Sequence, residues 1–596
     1  MTTTFSFEIT QGILIGIVFG LGTLLVSLLP KYKWAAASAL CVLITPLALL
    51  PFWFSYGPLG ISDWDYYFSM HTNLREAIVH YNEFPLWNPY TCGGTSALGD
   101  PEFPVLSPLF LLELLFGTPA GLRLSIYFST TIGSLGMLHL SRKLGLSVLG
   151  GLVAALAMAF GTVNLLEIVE GHQNILAAMY IPWVWYFWYS AYTSPSTKKQ
   201  RLYIVAIAIL LALMFFQGGI YLLMYMTGAF AIIAALVTKP KQAIQITLLA
   251  GLLGAGLASI KLIPVALWIQ EFSDKAYASS AYTLSSLDDI FLGRILYGAE
   301  DIIPSQGGGW HEYGAYIGPV VLLLSCIGFL FYRKNRVTQA LLISAVLATG
   351  VSSLGPYLKP IFDQLPFIPR SNISRVILFA VIPISLLAGY GIEGIQKRSK
   401  LMRLFAVALI TIAAVDLISL AYPLSSQSFV LQRVEHEIPQ SKLPISYNPL
   451  TYKVRHKGVD YTRSYEATLR GYGNMTYCSV LGPEPSISVM TDEGRGEILS
   501  FSDDKDASFT LESWKPSNVR IIVRTTKETE ATLNANYAIG WYVNGIPAKE
   551  IGNRPGILIP AGETLLEFSY VPPGMYVGAF ISALSILILF YYLFRK

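Results

Sequence analysis

The sequence is poor in charge and in cysteine, and both shortages restrict what the protein can be. Charged residues make up 13% of its 596 positions, whereas a soluble protein would carry roughly a quarter. Four cysteines are too few for a disulfide scaffold, and no Cys-x-x-Cys or His/Cys cluster has zinc-site spacing. The formal net charge of +4 is too small to indicate a nucleic-acid partner. What the chain has in excess is apolar, since 53% of it is hydrophobic and its mean hydropathy is +0.52.

Long apolar runs predict an all-α polytopic membrane protein. A helix needs about 20 apolar residues to cross the hydrocarbon core, and hydropathy predicts about thirteen such spans. The N-terminus lacks the basic segment of a signal peptide, so we expect the first run to be retained as a span. The expected spans lie near 11–29, 34–54, 121–141, 147–166, 174–192, 203–216, 219–237, 243–263, 316–332, 337–353, 376–394, 403–421 and 575–593.

The short basic connections orient these spans. With thirteen spans, every basic cluster falls on one side, and the positive-inside rule makes that side cytoplasmic. We therefore expect the N-terminus outside the plasma (inner) membrane and the C-terminus inside. The clusters are Lys31 and Lys33, Arg142 and Lys143, Lys198 to Arg201, Lys239 and Lys241, Arg333 to Arg336, Lys397 to Arg403, and Arg595 with Lys596.

The opposite, extracytoplasmic side carries the long polar segments, so the working face is expected there. The external loops are predicted at 55–120, 265–315 and 354–375. An amphipathic surface helix is expected over 66–83, and a re-entrant or interfacial helix over 104–118, which is too short to span.

The C-terminal third changes character and predicts a separate domain. Strand-like stretches such as 518–525 and 564–570 alternate with turn signals at Asn544-Gly545 and Pro572-Pro573-Gly574. We therefore expect a transmembrane domain over 1–422, an extracytoplasmic β-sandwich over 423–574, and a final transmembrane helix over 575–596.

Two carboxylates lie where the chain leaves the second span, at Asp63 and Asp65. Charges so close to lipid are costly unless they face a polar cavity, and either one could take a proton from an acceptor hydroxyl as a general base. Either could equally cap the helix that follows. The spacing alone does not decide between these roles.

Other polar residues of the first loop lie among glycines and prolines. Asn88, Asp100 and Glu102 could contact a sugar or an acceptor, but turn formation explains them equally well.

Two further external segments combine titratable and aromatic groups at the entrance of a span. His172 follows Gly171, and a second group follows the Gly307 to Gly309 run. Aromatic rings stack on sugars, although aromatic belts and structural histidines are common in membrane proteins. The second group is Trp310, His311, Glu312 and Tyr313.

Positive charge is also expected outside, against the usual bias. Arg370 and Arg375 precede the 376–394 span, where an arginine could bind a phosphate through two hydrogen bonds. Lys261, near the external end of the 243–263 span, could do the same or could snorkel to the interface.

Scattered motifs together resemble the YfhO-type membrane protein family, of the GT-C superfamily of polyprenyl-phosphate-sugar-dependent glycosyltransferases. The resemblance rests on Asp63-Trp64-Asp65, on Pro85 to Pro89 with Gly93-Gly94-Thr95 and Asp100-Pro101, and on Gly171-His172. It also rests on Trp310 to Gly314, on Leu365 to Phe367 leading to Arg370 and Arg375, and on Gly540 to Gly545 with Leu558 to Glu563. The chain departs from the pattern in an additional first span and at Phe216 to Gly219, where relatives often carry a histidine.

The resemblance implies a mechanism and a set of partners. A polyprenyl-phosphate sugar would enter from the outer leaflet, Asp63 or Asp65 would activate the hydroxyl of a glycan, lipid or protein acceptor, and the sugar would transfer with inversion. Arg375, Arg370 or Lys261 would bind the leaving phosphate. By position, the resemblance favours Asp63 as the base.

Two other functions compete with the enzyme. A transporter or flippase of lipid-linked sugars would show inverted repeats and mid-span charges, whereas the titratable groups here cluster at one interface. A non-catalytic assembly subunit could keep a glycan-binding sandwich. Paired acids permit a divalent Mg or Mn ion, so metal dependence stays open. Cys92 and Cys478 both lie outside, where a disulfide between them is chemically allowed.

Overall fold

The computed structural model describes most of the chain. Helices dominate up to residue 426, and strands dominate between 498 and 570. The described residues are 2–29, 31–54, 63–226, 239–272, 284–295, 310–354, 357, 373–426, 444–447, 453–456, 459–462, 464–473, 483 and 498–594.

The described helices follow the apolar runs of the sequence. Short 3₁₀ segments at Gln173–Tyr180, Leu284–Ser286, Trp310–Glu312 and Ile373–Ile377 lie between or before them. The α-helices are α1 Thr2–Leu28, α2 Lys33–Ala48, α3 Pro51–Phe54, α4 Trp64–Val79, α5 Phe110–Phe116, α6 Thr118–Lys143, α7 Val148–Phe160, α8 Thr162–Glu170, α9 Ile181–Thr193, α10 Thr197–Phe216, α11 Pro240–Glu271, α12 Leu287–Leu292, α13 Pro319–Tyr332, α14 Arg336–Ser353, α15 Leu378–Gln396, α16 Lys400–Ser425, α17 Ser464–Leu469 and α18 Met575–Phe594.

Eight of the described helical segments are long and apolar enough to cross a membrane, and α2 and α13 are shorter apolar helices. Each predicted span overlaps a described helix, except that 219–237 is described only as far as residue 226. The all-helical membrane part is therefore confirmed, while the count of thirteen stays a prediction. The eight segments are 7–28, 148–170, 197–216, 240–271, 336–353, 373–396, 400–425 and 575–594.

The 148–170 segment is broken at Gly161, which separates α7 from α8. Gly161 has an extended backbone, with φ −62° and ψ 144°. Thr162 compensates for the break, because its amide donates to the Tyr316 carbonyl at 3.0 Å and its hydroxyl accepts from the Tyr316 amide at 2.8 Å. The short helix α8 is thus tied to the Tyr316 backbone at its start, and its C-terminal end meets the start of α4.

The C-terminal β-sheet region is confirmed as two antiparallel sheets, in the orders β13-β14-β10-β7 and β12-β11-β15-β9-β8. Buried and less buried residues alternate along β9, where Val519, Ile521 and Val523 enter the core, as expected for a strand with one covered face. Its strands are β7 Leu499–Phe501, β8 Ser508–Lys515, β9 Asn518–Thr525, β10 Thr529–Leu533, β11 Trp541–Val543, β12 Ile546–Pro547, β13 Lys549–Ile551, β14 Arg554–Ile559 and β15 Gly562–Tyr570.

Shorter strands lie outside this pair of sheets. Those of the first loop pair antiparallel with each other, and those of the 444–473 segment form one parallel and one antiparallel pair. They are β1 Trp87–Asn88, β2 Thr95–Ser96, β3 Ser446–Tyr447, β4 Lys453–His456, β5 Val459–Thr462 and β6 Tyr472–Gly473.

The loop between α3 and α6 that contains β1 and β2, called the first loop below, is fixed to the sandwich. The Trp87 ring lies 5.1 Å from that of Trp541 and 4.6 Å from that of Tyr570. Asn536 donates to the carbonyls of Cys92 at 2.7 Å and Gly94 at 3.1 Å. These contacts make the sandwich a support for the loop that carries the predicted acids.

A disulfide adds a covalent tie to the same loop. Cys92 is disulfide-bonded, whereas Cys41 and Cys326 are free. Cys478, with which the sequence allows Cys92 to form a disulfide, lies outside the described residues.

Candidate active site

The site forms where the start of α4 meets the end of α8. The Trp64 indole donates to the Val169 carbonyl at 2.9 Å, and the Asp63 amide donates to the Glu170 carbonyl at 3.3 Å. Gly171 allows this approach, because it has φ +115° and a Cβ there would lie 2.6 Å from the Trp64 nitrogen. A side chain at position 171 would therefore be strained and would clash.

Asp63, His172 and Glu167 form a hydrogen-bonded row. His172 Nε2 lies 2.7 Å from Asp63 Oδ2, and Nδ1 bonds Glu167 Oε2. Asp63 occupies the N-cap position of α4, but its side chain makes no capping hydrogen bond. The Asp63 carboxylate therefore faces His172, and its role as a general base stays a prediction.

The row holds the imidazole of His172 in its charged form. Burial alone would lower the pKa of His172, but the Glu167 charge and the hydrogen bonds that the ring donates to Asp63 and Glu167 outweigh it and raise the pKa well above its ordinary value. The protonated ring donates from both nitrogens. Its donation to Asp63 fixes one carboxylate oxygen and thereby the orientation of the group.

Arg375 lies on the other side of the same imidazole, with Nη2 3.2 Å from His172 Nδ1. Its guanidinium makes a bidentate pair with Glu312, with Nε 2.8 Å from Oε2 and Nη2 2.6 Å from Oε1. Nε also lies 3.3 Å from Glu167 Oε1. Asp63 and Arg375 therefore both contact His172.

Glu312 also joins His311 to the cluster. His311 lies between two carboxylates, 3.5 Å from Glu170 Oε2 and 3.5 Å from Glu312 Oε1. Burial would lower the pKa of His311, but Glu312 and Glu170 raise it. Burial would raise the pKa of Glu312, but Arg375 and His311 hold it well below its ordinary value. Glu312 is therefore a carboxylate at neutral pH.

Glu102 borders the cluster on the side of the first loop. The Tyr67 hydroxyl donates to its Oε2 at 3.1 Å, and Asn174 Nδ2 donates to its Oε1 at 3.3 Å. Burial, with a smaller contribution from Asp63, raises the pKa of Glu102 although His172 and Tyr67 oppose the shift. Glu102 therefore lies beside the cluster, and its expected contact with a sugar or an acceptor stays a prediction.

Lys261 ties α11 to the first loop. Its fully buried ammonium donates to the carbonyls of Pro101 at 2.9 Å and Phe103 at 2.6 Å. Both bonds go to the residues on either side of Glu102. Lys261 therefore holds two backbone carbonyls of the first loop, and the expected phosphate contact stays a prediction.

The remaining predicted site residues lie away from the row. Asp65 bonds backbone amides of α17, and Asn88 bonds Thr91 and the Tyr90 amide within a turn. Asp100 accepts from the Glu102 amide at 2.9 Å. Trp310 and Tyr313 are buried in the apolar core. Arg370 lies outside the described residues.

Glu167 and Glu170 belong to the site but were not among the predicted residues. They lie three positions apart, on neighbouring positions of a helical face, followed by His172. Two carboxylates at the end of an otherwise apolar span are a signal that the sequence does contain. The predicted span ended at residue 166, so both were assigned to a short connection.

A divalent ion does not fit the cluster as it stands. Among the described residues, no three His, Cys, Asp or Glu side chains are arranged to hold a metal. The carboxylates nearest Asp63 are instead paired with His172, His311 and Arg375.

Comparisons with known proteins find a distant likeness of fold. No family model and no curated protein matches the chain. ArnT from Cupriavidus metallidurans, solved with undecaprenyl phosphate, is 12% identical over 76% of this chain and 87% of that chain, with a TM-score of 0.46. The Archaeoglobus fulgidus oligosaccharyltransferase, solved with Zn and sulfate, is 13% identical over 66% of this chain and 54% of that chain, with a TM-score of 0.41.

A third solved structure is the arabinofuranosyltransferase AftD from Mycobacteria, which is 14% identical over 91% of this chain and 42% of that chain, with a TM-score of 0.44. None of these three structures tests the resemblance to the YfhO-type family. Identities and TM-scores this low describe fold and say nothing of substrate.

Proposed function

We propose that the protein is a membrane glycosyltransferase that moves a sugar from a polyprenyl-phosphate donor to an extracytoplasmic glycan, lipid or protein, with inversion. The observation that supports this most is the row Asp63, His172 and Arg375, which sets a carboxylate and a guanidinium on opposite sides of one imidazole. Inverting transfer to a hydroxyl needs these two groups, a base for the acceptor and a cation for the leaving phosphate.

Asp63 is the general base in this mechanism. Its side chain keeps 17% exposure, so an acceptor hydroxyl can reach it, while His172 holds Oδ2. The hydroxyl proton moves to Asp63 as its oxygen bonds the anomeric carbon from the face opposite the phosphate. The bond between that carbon and the phosphate oxygen breaks, and its electron pair leaves with the polyprenyl phosphate. A positioned base contributes about 10²- to 10⁴-fold in rate.

Arg375 binds the departing phosphate. A guanidinium has five N–H donors, and the bonds to Glu312 occupy Nε and one on Nη2. In the part of the chain that the structure describes, Nη1 has no hydrogen-bond partner, so it offers two donors. Glu312 and Glu167 keep the guanidinium in place. Because Glu312 already takes the bidentate edge formed by Nε and Nη2, the phosphate would be bound by the Nη1 donors.

The cluster belongs to the extracytoplasmic side under this proposal. Basic residues concentrate in the connections at the other ends of the same spans, as at Arg142 and Lys143 after α6 and at Lys397 after α15. The N-terminus is then outside and the C-terminus inside the plasma membrane. We also propose the domain division 1–422, 423–574 and 575–596.

Release of undecaprenyl phosphate from undecaprenyl-phosphate sugars tests the function without knowledge of the acceptor. Purified protein in nanodiscs is incubated with donors that carry glucose, galactose, mannose or arabinose, together with envelope extract, and the released lipid is quantified by mass spectrometry. We expect at least one donor to be consumed, and Asp63→Asn to lower the rate about 10²- to 10⁴-fold.

The matched control is Asp288→Asn, an exposed aspartate of another external segment, which should keep the wild-type rate. Equal rates for the wild type and Asp63→Asn would remove Asp63 from the mechanism. Movement of intact donor across a vesicle membrane without release of the lipid phosphate would replace the transferase with a flippase.

A further inference from the structure

We propose that Asp65 is a positioning residue that fastens the external helix α17 to the first-loop helix α4, so that the external module helps to place Asp63. The contact between Asp65 and α17 does not depend on the proposed function; only the expected effect on sugar transfer rests on it. Both oxygens of the buried Asp65 carboxylate bind α17, with Oδ2 2.8 Å from the Ser464 amide and Oδ1 3.2 Å from the Tyr465 amide.

The two aspartates lie on different faces of α4. Residues three and four apart share a helix face, so Asp63, Tyr67 and His71 form one side. That side contacts His172, Glu102 and Glu113. Asp65 belongs to the opposite side, and its carboxylate is directed at α17 rather than at Arg375.

Two more contacts join the same side of α4 to α17. The Ser69 and Thr468 hydroxyls are 2.7 Å apart, and the rings of Phe68 and Tyr465 have centroids 5.5 Å apart. The three contacts run along α4 from Asp65 to Ser69, one helical turn. The external helix therefore lies on the first turn of the helix that begins at the proposed base.

Asp65 adds charge-assisted hydrogen bonds to this interface, where the Ser69 and Thr468 contact joins two neutral hydroxyls. In addition, α17 has only six residues, and an isolated helix of that length does not persist in water.

Asp65 supplies what such a short helix lacks. A carboxylate at a helix N-terminus accepts amides that have no partner within the helix and opposes the partial positive charge there. Loss of a capping side chain costs about 0.5–2 kcal/mol, so we expect α17 to detach about 2- to 30-fold more often when Asp65 is replaced.

Hydrogen exchange at the α17 amides tests this directly. Asp65→Asn and Asp65→Ala should speed the exchange of the Ser464 and Tyr465 amides about 2- to 30-fold, more for alanine than for asparagine. Asp63→Asn is the matched control and should leave these two amides unchanged. Unchanged exchange in both Asp65 variants would overturn the proposal, whatever the protein catalyses.

A covalent rescue separates positioning from chemistry. The Ser69 and Thr468 hydroxyls are close enough to be replaced by a disulfide, so Ser69→Cys with Thr468→Cys should restore slow exchange in the Asp65→Asn protein. It should also restore undecaprenyl-phosphate release, with the wild-type pH profile. A rate that stays low, or a pH profile that shifts, while exchange is restored would instead place Asp65 in proton transfer.

Discussion

Replacement of Arg375 by lysine should weaken the binding of undecaprenyl phosphate without loss of the local charge. In the structure the guanidinium is held by Glu312 through bonds of 2.8 and 2.6 Å, and its Nη1 donors remain for a phosphate. A lysine ammonium is a point charge and would stay with Glu312 and Glu167. It therefore cannot pair with these carboxylates and bind a phosphate at the same time.

The magnitude follows from the bond that is lost. A hydrogen bond to a charged group contributes about 1.5–3 kcal/mol. Each 1.4 kcal/mol changes an affinity about tenfold, so Arg375→Lys should raise the Kd for undecaprenyl phosphate roughly 10- to 150-fold. The assay is a titration of the lipid into nanodisc-embedded protein at fixed ionic strength, read by native mass spectrometry.

Arg294 supplies the matched control. It also pairs with a carboxylate, Asp416, but its side chain is 41% exposed, and no described contact joins it to Asp63, His172 or Arg375. Arg294→Lys should leave the Kd within about twofold, as expected for an exposed ion pair. If the two variants weaken binding equally, or if Arg375→Lys has no effect, the assignment of the phosphate to Arg375 is wrong.

Three further predictions follow from the same contacts. Lys261→Met leaves the carbonyls on either side of Glu102 without their donor. Thermal unfolding should show that the free energy of unfolding falls by about 1–3 kcal/mol per carbonyl, while the Kd for undecaprenyl phosphate stays unchanged. A raised Kd with an unchanged free energy of unfolding would instead support phosphate binding by Lys261. The pKa of His172 and that of His311 are raised in the folded protein. Their ion pairs therefore contribute fully to the free energy of unfolding below about pH 6.5, the pKa of histidine in the unfolded chain. This contribution is lost as the pH rises through the raised pKa values of the folded protein. Unfolding temperatures should thus fall from neutral to alkaline pH in the wild type and less so in His172→Asn; parallel profiles would contradict this. Cys92→Ser should lower the free energy of unfolding by about 2–5 kcal/mol, because it removes a disulfide. An equal free energy of unfolding for the oxidised and reduced wild type would contradict this.

The membrane helices and the sandwich could be predicted from the sequence because their signals are local. Apolar runs of about 20 residues and alternating strands depend only on neighbours along the chain. The amphipathic helix expected at 66–83 is α4, Trp64–Val79, and the short apolar run at 104–118 contains the seven-residue helix α5. Both were found because helical periodicity and length limits are properties of one segment.

Partners of the charged residues could not be predicted in the same way. The sequence separates Asp63 from His172 by 109 positions and His172 from Arg375 by 203. That these residues would gather at one interface was expected from topology, but the individual bonds depend on the break at Gly161 that sets α8. The same break brings Glu167 into the site, which the hydropathy profile alone could not show.

Asp65 and Lys261 show the limit of inference from residue type. Both are ionisable residues near the external interface, and both were expected to act on substrate. The structure engages Asp65 with backbone amides of α17 and Lys261 with backbone carbonyls of the first loop. A charge can satisfy buried backbone groups as well as a ligand, and the sequence does not distinguish these uses.

The central claim is that one site holds the donor phosphate at Arg375 and the acceptor at Asp63. The most direct measurement is an experimental structure of the Asp63→Asn protein with an undecaprenyl-phosphate sugar. We predict phosphate oxygens about 3 Å from Nη1 of Arg375, with the anomeric carbon between the phosphate and residue 63. A phosphate bound at Lys261 or Arg294, with Arg375 still enclosed by Glu312 and Glu167, would contradict the account.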